Sequence, residues 1–341
     1  MTKEISMLYI GRKHSGKTVA LHSMYHTMAK GIKIILPDGT VRIHMDQMAE
    51  EEKKPHALQG EYRFISCNGK YKRALPTFTR AYSYYKFSLY RNQQSICSVE
   101  TLDYDGRLID ELDADSPDWA KLETAMKRAS AIVYLISGEN LLGEWHKWKG
   151  ETGEQHGGSG SMEDTAGFEA DYIRMVIHTI RKIRDGCPPL LFYVTKSELF
   201  PENVHVMEVL EHFIQINNLY FPNTIILGCQ SALGMDTAIS ECGDRQIIID
   251  GYEPQGFELP LLLIVGYYFS KSWEKLAAIG LNFLGGLFKG HFSGSMKASA
   301  ARLEEKRQPV RDILAYIQKG GFSVLYIDTN GKKRDIADLL K

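Results

Sequence analysis

Apolar residues in this chain gather into short continuous runs separated by stretches of helical spacing. Ile5–Ile10, Ala131–Ser137 (AIVYLIS), Pro189–Thr195 and Thr224–Cys229 contain little polar alternation. Such runs are the pattern of strands buried on both faces of a parallel sheet. Between and after them, Thr18–Ala29, Pro117–Ala129, Glu169–Arg184, Val204–Asn217 and Glu258–Phe269 space their apolar residues as helices do. Ser116 is the expected N-cap of the second of these, with Pro117 at its first helical position. Ala81–Tyr90 and Gln94–Leu102 read as two strands joined by a turn at Arg91-Asn92. Strands alternating with helices predict an α/β fold: a mostly parallel sheet with helices on both faces. Right-handed crossovers then gather the loops that leave the strands on one edge.

Three regions break the pattern. Gly31–Pro76 is irregular; it holds the fragment Ile32–Leu36, the turn Pro37-Asp38-Gly39 and the charged run Glu50–Lys54, with room for a hairpin and a helix. Gly143–Gly167 is rich in Gly, Glu and Ser and reads as an exposed, mobile insertion. The expected division is a main α/β domain over 1–269, with insertions at about 31–76 and 143–167, and a C-terminal accessory region over 270–341. In that region Ala300–Gln318 reads as a charged amphipathic helix and Phe322–Ile336 as a hairpin around Asn330-Gly331. Leu276–Phe288 is apolar but lacks the Lys/Arg-rich polar face of a membrane-surface helix, so burial against the main domain or in a dimer is expected instead.

Composition narrows the classes. The 341 residues are 44% apolar and 24% charged, as in ordinary globular proteins, and the formal charge of −1 gives no global field toward nucleic acid. The five cysteines are odd in number and match neither zinc nor redox spacing; Cys97 and Cys229 read as core thiols. A reducing, cytoplasmic setting is expected, with no leader h-region in Met1–Lys17 and no membrane-spanning stretch.

The strongest chemical signal is Gly11-x-x-x-x-Gly16-Lys17-Thr18, set between the first strand and the first helix. Gly11 and Gly16 permit backbone angles that other residues resist, so the loop can turn its N–H groups, Ser15 included, onto an anion at the positive end of a helix. Lys17 supplies a full charge for β- and γ-phosphates, and the Thr18 hydroxyl is placed to ligate Mg²⁺. Weaker signals follow in order. Asp103-x-x-Gly106 ends a strand, where a carboxylate can hold the Mg²⁺ water shell and a glycine N–H can approach a γ-phosphate. A rival string, Asp164-Thr165-Ala166-Gly167, has no apolar strand before it. Thr195-Lys196-Ser197-Glu198 follows a strand; its carboxylate can accept the N–H and amino donors of guanine while the lysine stem packs over the base. In Ser231-Ala232 the Ala232 N–H can donate to the guanine oxygen. Thr77, with Thr79 as fallback, is placed to cover the γ-phosphate and ligate Mg²⁺.

With these motifs in this order, residues 5–269 resemble the Ras-like, translation-factor-related (TRAFAC) class of P-loop GTPases, whose bacterial members often carry insertions and accessory ends. The resemblance implies a P-loop NTPase fold and a switch that binds GTP or GDP with Mg²⁺. It implies phosphate binding by Gly11 to Thr18, switch segments at Thr77 and at Asp103 and Gly106, and base recognition by Thr195, Lys196, Glu198, Ser231 and Ala232. It also implies a protein effector or second GTPase reading the switches, with a homodimer as an alternative. Three departures stand out: Glu198 replaces an Asp, Arg107 stands where Ras proteins carry a water-orienting glutamine, and Lys13 and His14 fill loop positions that are usually small. Slow hydrolysis is therefore expected, with Arg107 the chosen catalytic cation among Arg12, Lys13, Arg80 and Arg107. A non-hydrolysing scaffold and an ATP-specific NTPase are the rival readings.

Overall fold

The computed structural model describes residues 3–12, 15–37, 39–47, 64–67, 70–74, 83–103, 117–149, 165–233, 237–239, 246–248, 254–271 and 307–340. Its strands, in chain order, are β1 (Lys3–Ile10), β2 (Ile32–Leu36), β3 (Gly39–Gln47), β4 (Phe64–Cys67), β5 (Lys70–Ala74), β6 (Ser83–Arg91), β7 (Gln94–Asp103), β8 (Ala131–Ser137), β9 (Leu190–Thr195), β10 (Ile226–Gln230), β11 (Thr237–Ile239), β12 (Gln246–Ile248), β13 (Leu325–Ile327) and β14 (Lys333–Arg334). The helices are α1 (Lys17–Lys30), α2 (Pro117–Arg128), α3 (Gly138–Lys149), α4 (Thr165–Ile183), α5 (Val206–Ile216), α6 (259–271), α7 (307–319) and α8 (Ile336–Leu339).

A ten-stranded sheet runs in the order β14-β13-β10-β9-β8-β1-β7-β6-β3-β2. Its centre, β7-β1-β8-β9-β10, is parallel throughout. The pairs β7–β6, β6–β3 and β3–β2 on one side, and β10–β13 and β13–β14 on the other, are antiparallel. Strand side chains alternate between the faces. Tyr9, Val133, Leu135 and Tyr193 pack with α1, α6 and α7 on one face. Ile10, Ile132, Tyr134 and Phe192 pack with α2 to α5 on the other. Because both faces are covered, β8 and β9 are buried at every position, as the unbroken apolar runs predict. This is the expected α/β arrangement, with a parallel centre to the sheet and helices on both faces.

Several expectations change in detail. The hairpin sought within Gly31–Pro76 is β2–β3, and the same stretch supplies β4 and β5. The reading of Gly143–Gly167 as an insertion does not hold at its ends. Residues 143–149 complete α3, and Thr165 to Gly167 begin α4. Leu141, Leu142 and Trp145 lie at helical spacing and pack on the core with α4, which outweighs the glycines beside them. The middle of that stretch, Ser116, and Leu276–Phe288 lie outside the described residues. In the C-terminal region the hairpin forms as β13–β14, with Gly331 at φ 74°. Its first strand joins β10, so the described part of 270–341 extends the main sheet and core. Cys97 and Cys229 are buried thiols.

A second, four-stranded sheet has the order β11-β12-β5-β4. Its hairpins come from two separate excursions. One leaves between β3 and β6; the other leaves after β10 and returns to α6. They meet where Ile247 and Ile248 pair with Ala74 and Arg73. The second excursion carries no signal in the hydrophobic pattern, because its strands are only three residues long.

Candidate functional site

The site begins where β1 ends. Gly11 is buried, and a Cβ there would lie 2.5 Å from Ser15 Oγ and 3.0 Å from the Leu135 carbonyl oxygen. Only glycine fits that approach. The Ser15 N–H donates to the Arg12 carbonyl at 3.2 Å, turning the chain, and Gly16 at φ 86° enters α1 as its N-cap. No acidic residue occupies the first turn of α1, so nothing there offsets the positive end of the helix. Gly31 at φ 78° ends the same helix, its N–H donating to Met28 O at 3.1 Å.

Within this turn Lys17 is buried, at 7% exposure for the residue. It donates to Gly11 O at 2.7 Å and Arg12 O at 3.1 Å. The lysine thus folds back over its own loop, where a phosphate oxygen would compete with two carbonyls. Ser15 Oγ is buried without a hydrogen-bond partner among the described residues. A buried polar atom without a partner is costly, and an anion would satisfy it. Cradle, ammonium and lone hydroxyl fit a polyphosphate. Thr18, half-buried in the first turn of α1, offers a hard oxygen atom of the kind that Mg²⁺ takes.

Asp103 follows Leu102, which pairs with Leu8 of β1, so its backbone ends beside the strand that delivers the loop. The rival string behaves differently, since Thr165, Ala166 and Gly167 lie inside α4. Lys13, His14, Thr77, Thr79, Arg80, Gly106 and Arg107 fall outside the described residues.

The expected base-reading turn adjoins the cradle. Thr195, the last residue of β9, donates its Oγ1 proton to Ser15 O at 2.9 Å, which ties this turn to the phosphate loop. Lys196 adopts the left-handed conformation at φ 55°, and its Nζ lies 3.0 Å from Glu139 Oε2 at the start of α3. Glu198 is an exposed residue beside Lys196. Partial burial raises its pKa, while the N–H groups of Glu198 and Leu233 and the charge of Lys196 pull it down. Ser197 donates both its N–H and its hydroxyl to Ser231 O, at 3.0 and 2.9 Å. Ser231 is buried, and its N–H donates to Val194 O at 2.9 Å.

Ala232 differs from expectation in one respect. Its N–H, assigned from sequence to the guanine oxygen, donates to Gln255 O at 3.1 Å. Sequence reasoning also passed over Gly138 and Glu139. A small residue directly after a buried strand was the available signal for Gly138. A Cβ there would press on the Lys196 carbonyl oxygen and lie 2.9 Å from that of Thr195, both backbone atoms with little room to give. Gly138→Ala is expected to cost about 1–3 kcal/mol, the usual range for overpacking, and to displace the Thr195-Lys196 turn. Gly143→Ala, in the same helix with nothing within 4 Å, is the matched control and should be neutral or slightly stabilising. Chemical denaturation of both variants checks this.

No family model matches the chain, and no curated protein matches its sequence. Among solved structures, it is similar to the signal recognition particle receptor SRb-GTP/SRX complex from Chaetomium thermophilum. That likeness has 15% identity and a TM-score of 0.35, covering 67% of this chain and 92% of the other. Two single-residue variants of SsGBP are similar at 12% identity and a TM-score of 0.28; they match 67% and 66% of this chain, which spans 49% and 50% of theirs. Likeness at this level leaves any functional reading to the residues of the site itself.

Proposed function

We propose that this protein is a guanine-nucleotide-binding molecular switch that holds GTP or GDP with Mg²⁺ and hydrolyses GTP slowly. The observation that carries the reading is the cradle of Gly11, Ser15, Gly16 and Lys17, with its buried lysine and its buried hydroxyl that has no partner among the described residues. In this reading Lys13, His14 and Thr18 complete the phosphate loop. Thr18, Thr77 and Asp103 hold the metal, which when bound neutralises phosphate charge. Gly106 senses the γ-phosphate, and Lys17 and Arg107 stabilise charge that develops during phosphoryl transfer. Glu198 reads the base, with Thr195, Lys196, Ser231 and Ala232 shaping the turn around it. GTP would order the segments at Thr77 and Asp103, and a partner protein in the cytoplasm would read them.

Equilibrium titration with GTP, GDP and ATP, with and without Mg²⁺, tests the proposal together with single-turnover phosphate release. GTP and GDP are expected to bind in preference to ATP, more tightly with Mg²⁺, with phosphate released over minutes to hours. If no purine triphosphate binds, the reading fails. ATP preference would overturn the guanine assignment. Binding without any phosphate release would favour the scaffold reading that Arg107 suggests.

A further inference from the structure

In the base-reading loop, the backbone donors of Ser231 and Ala232 are already engaged. Ser231 N–H goes to Val194 O and Ala232 N–H to Gln255 O. The Ala232 bond is half of a two-way bridge, because the Gln255 N–H returns to Ala232 O at 2.9 Å. This bridge closes the neck of the excursion that carries β11 and β12. The next residue, Gly256, holds the neck shut: it sits at φ 77°, and a Cβ there would collide with the Gln230 carbonyl oxygen at the end of β10. Opening the bridge therefore means moving backbone that only glycine allows to pack so closely.

A carboxylate has about four lone-pair sites, so Glu198 can accept two donors from a base. An oxygen at the 6-position of a purine, by contrast, meets no free N–H from Ser231 or Ala232. We infer that Gln255 sets how the base is read: the site recognises guanine through its N1–H and 2-amino group on Glu198, and leaves the 6-oxygen unread. The inference rests on the proposed guanine-nucleotide site. Adenine remains excluded, since it offers neither the N1–H nor the 2-amino group.

Competition binding with GTP, 6-thio-GTP and ITP tests this on the unmodified chain. 6-Thio-GTP keeps N1–H and the 2-amino group but weakens the acceptor at position 6. ITP keeps the oxygen and lacks the 2-amino group. 6-Thio-GTP is expected to bind within about threefold of GTP, whereas ITP loses roughly tenfold to hundredfold, the worth of a hydrogen bond to a charged group. Gln255→Pro removes the N–H that donates to Ala232 and loosens the bridge. The Gln255 carbonyl that accepts the Ala232 N–H is kept in that variant, so the 6-oxygen should stay unread and the GTP to 6-thio-GTP ratio should stay within about threefold of the unmodified chain's. A tenfold or larger preference for GTP over 6-thio-GTP in the unmodified chain would mean that a donor reads the oxygen, and would overturn the inference. Equal binding of GTP and ITP would also overturn it. These analogue ratios decide even where Gln255→Pro fails to fold. A chain that binds none of the three triphosphates removes the proposed function, and this inference with it.

Discussion

Lys17→Ala is expected to weaken GTP binding by about 10²–10³, equivalent to roughly 3–4 kcal/mol for an ammonium that makes one or two charge-assisted bonds to phosphate. Burial raises the effect, because the charge of a residue at 7% exposure is screened little by water or salt. The same substitution also alters the free protein. It leaves the Gly11 and Arg12 carbonyls without the donor they now share, which should lower stability by about 1–2 kcal/mol. Titration with a fluorescent nucleotide and a denaturant melt of the free variant separate the two effects. Lys17→Arg should not restore binding, since the wider guanidinium does not fit a space that closes around a single nitrogen. Submicromolar GTP binding by folded Lys17→Ala would remove the lysine from the phosphate site.

Much of the arrangement around that lysine was legible because it obeys simple patterns. β8 and β9 stand out as unbroken apolar runs, since strands covered on both faces have no polar alternation to hide them. The phosphate loop stands out because glycine spacing and the change from strand to helix coincide. The turn from Thr195 to Glu198 lies beside the glycine loop, and what ties it there was not foreseen. The Thr195–Ser15 bond joins residues 180 positions apart, and no local pattern encodes such a pairing. The Ala232–Gln255 bridge was hidden for the same reason. α3 was concealed differently. Its glycines and charges read as loop, and Leu141, Leu142 and Trp145 reveal a helix only once α4 is there to receive them.

Asp312→Ala is expected to destabilise the fold by about 3–5 kcal/mol, the range for removing one partner of a buried ion pair. Asp312 lies in α7 with no exposed surface, and its Oδ2 is 2.5 Å from Arg91 Nε at the end of β6. The arginine side chain is itself only 24% exposed, so it cannot recover its hydration when the carboxylate is removed. An exposed pair would behave otherwise, contributing about 0–1 kcal/mol and fading in salt. The distinction matters for the whole molecule because the pair spans 221 residues and fixes the C-terminal helix to the strand beside β7, which ends at Asp103. A typical domain has about 5–15 kcal/mol in total, so the loss would be a large fraction of it. The double replacement Arg91→Leu with Asp312→Leu should recover most of the loss, because two apolar side chains leave no buried charge behind. Denaturant melts of the two single variants and the double variant complete the cycle. A single-variant cost under about 1 kcal/mol would class the pair with surface ion pairs, and α7 would then owe its place to the packing of Val310, Ile313 and Ile317 and to the Tyr316–Glu258 hydrogen bond.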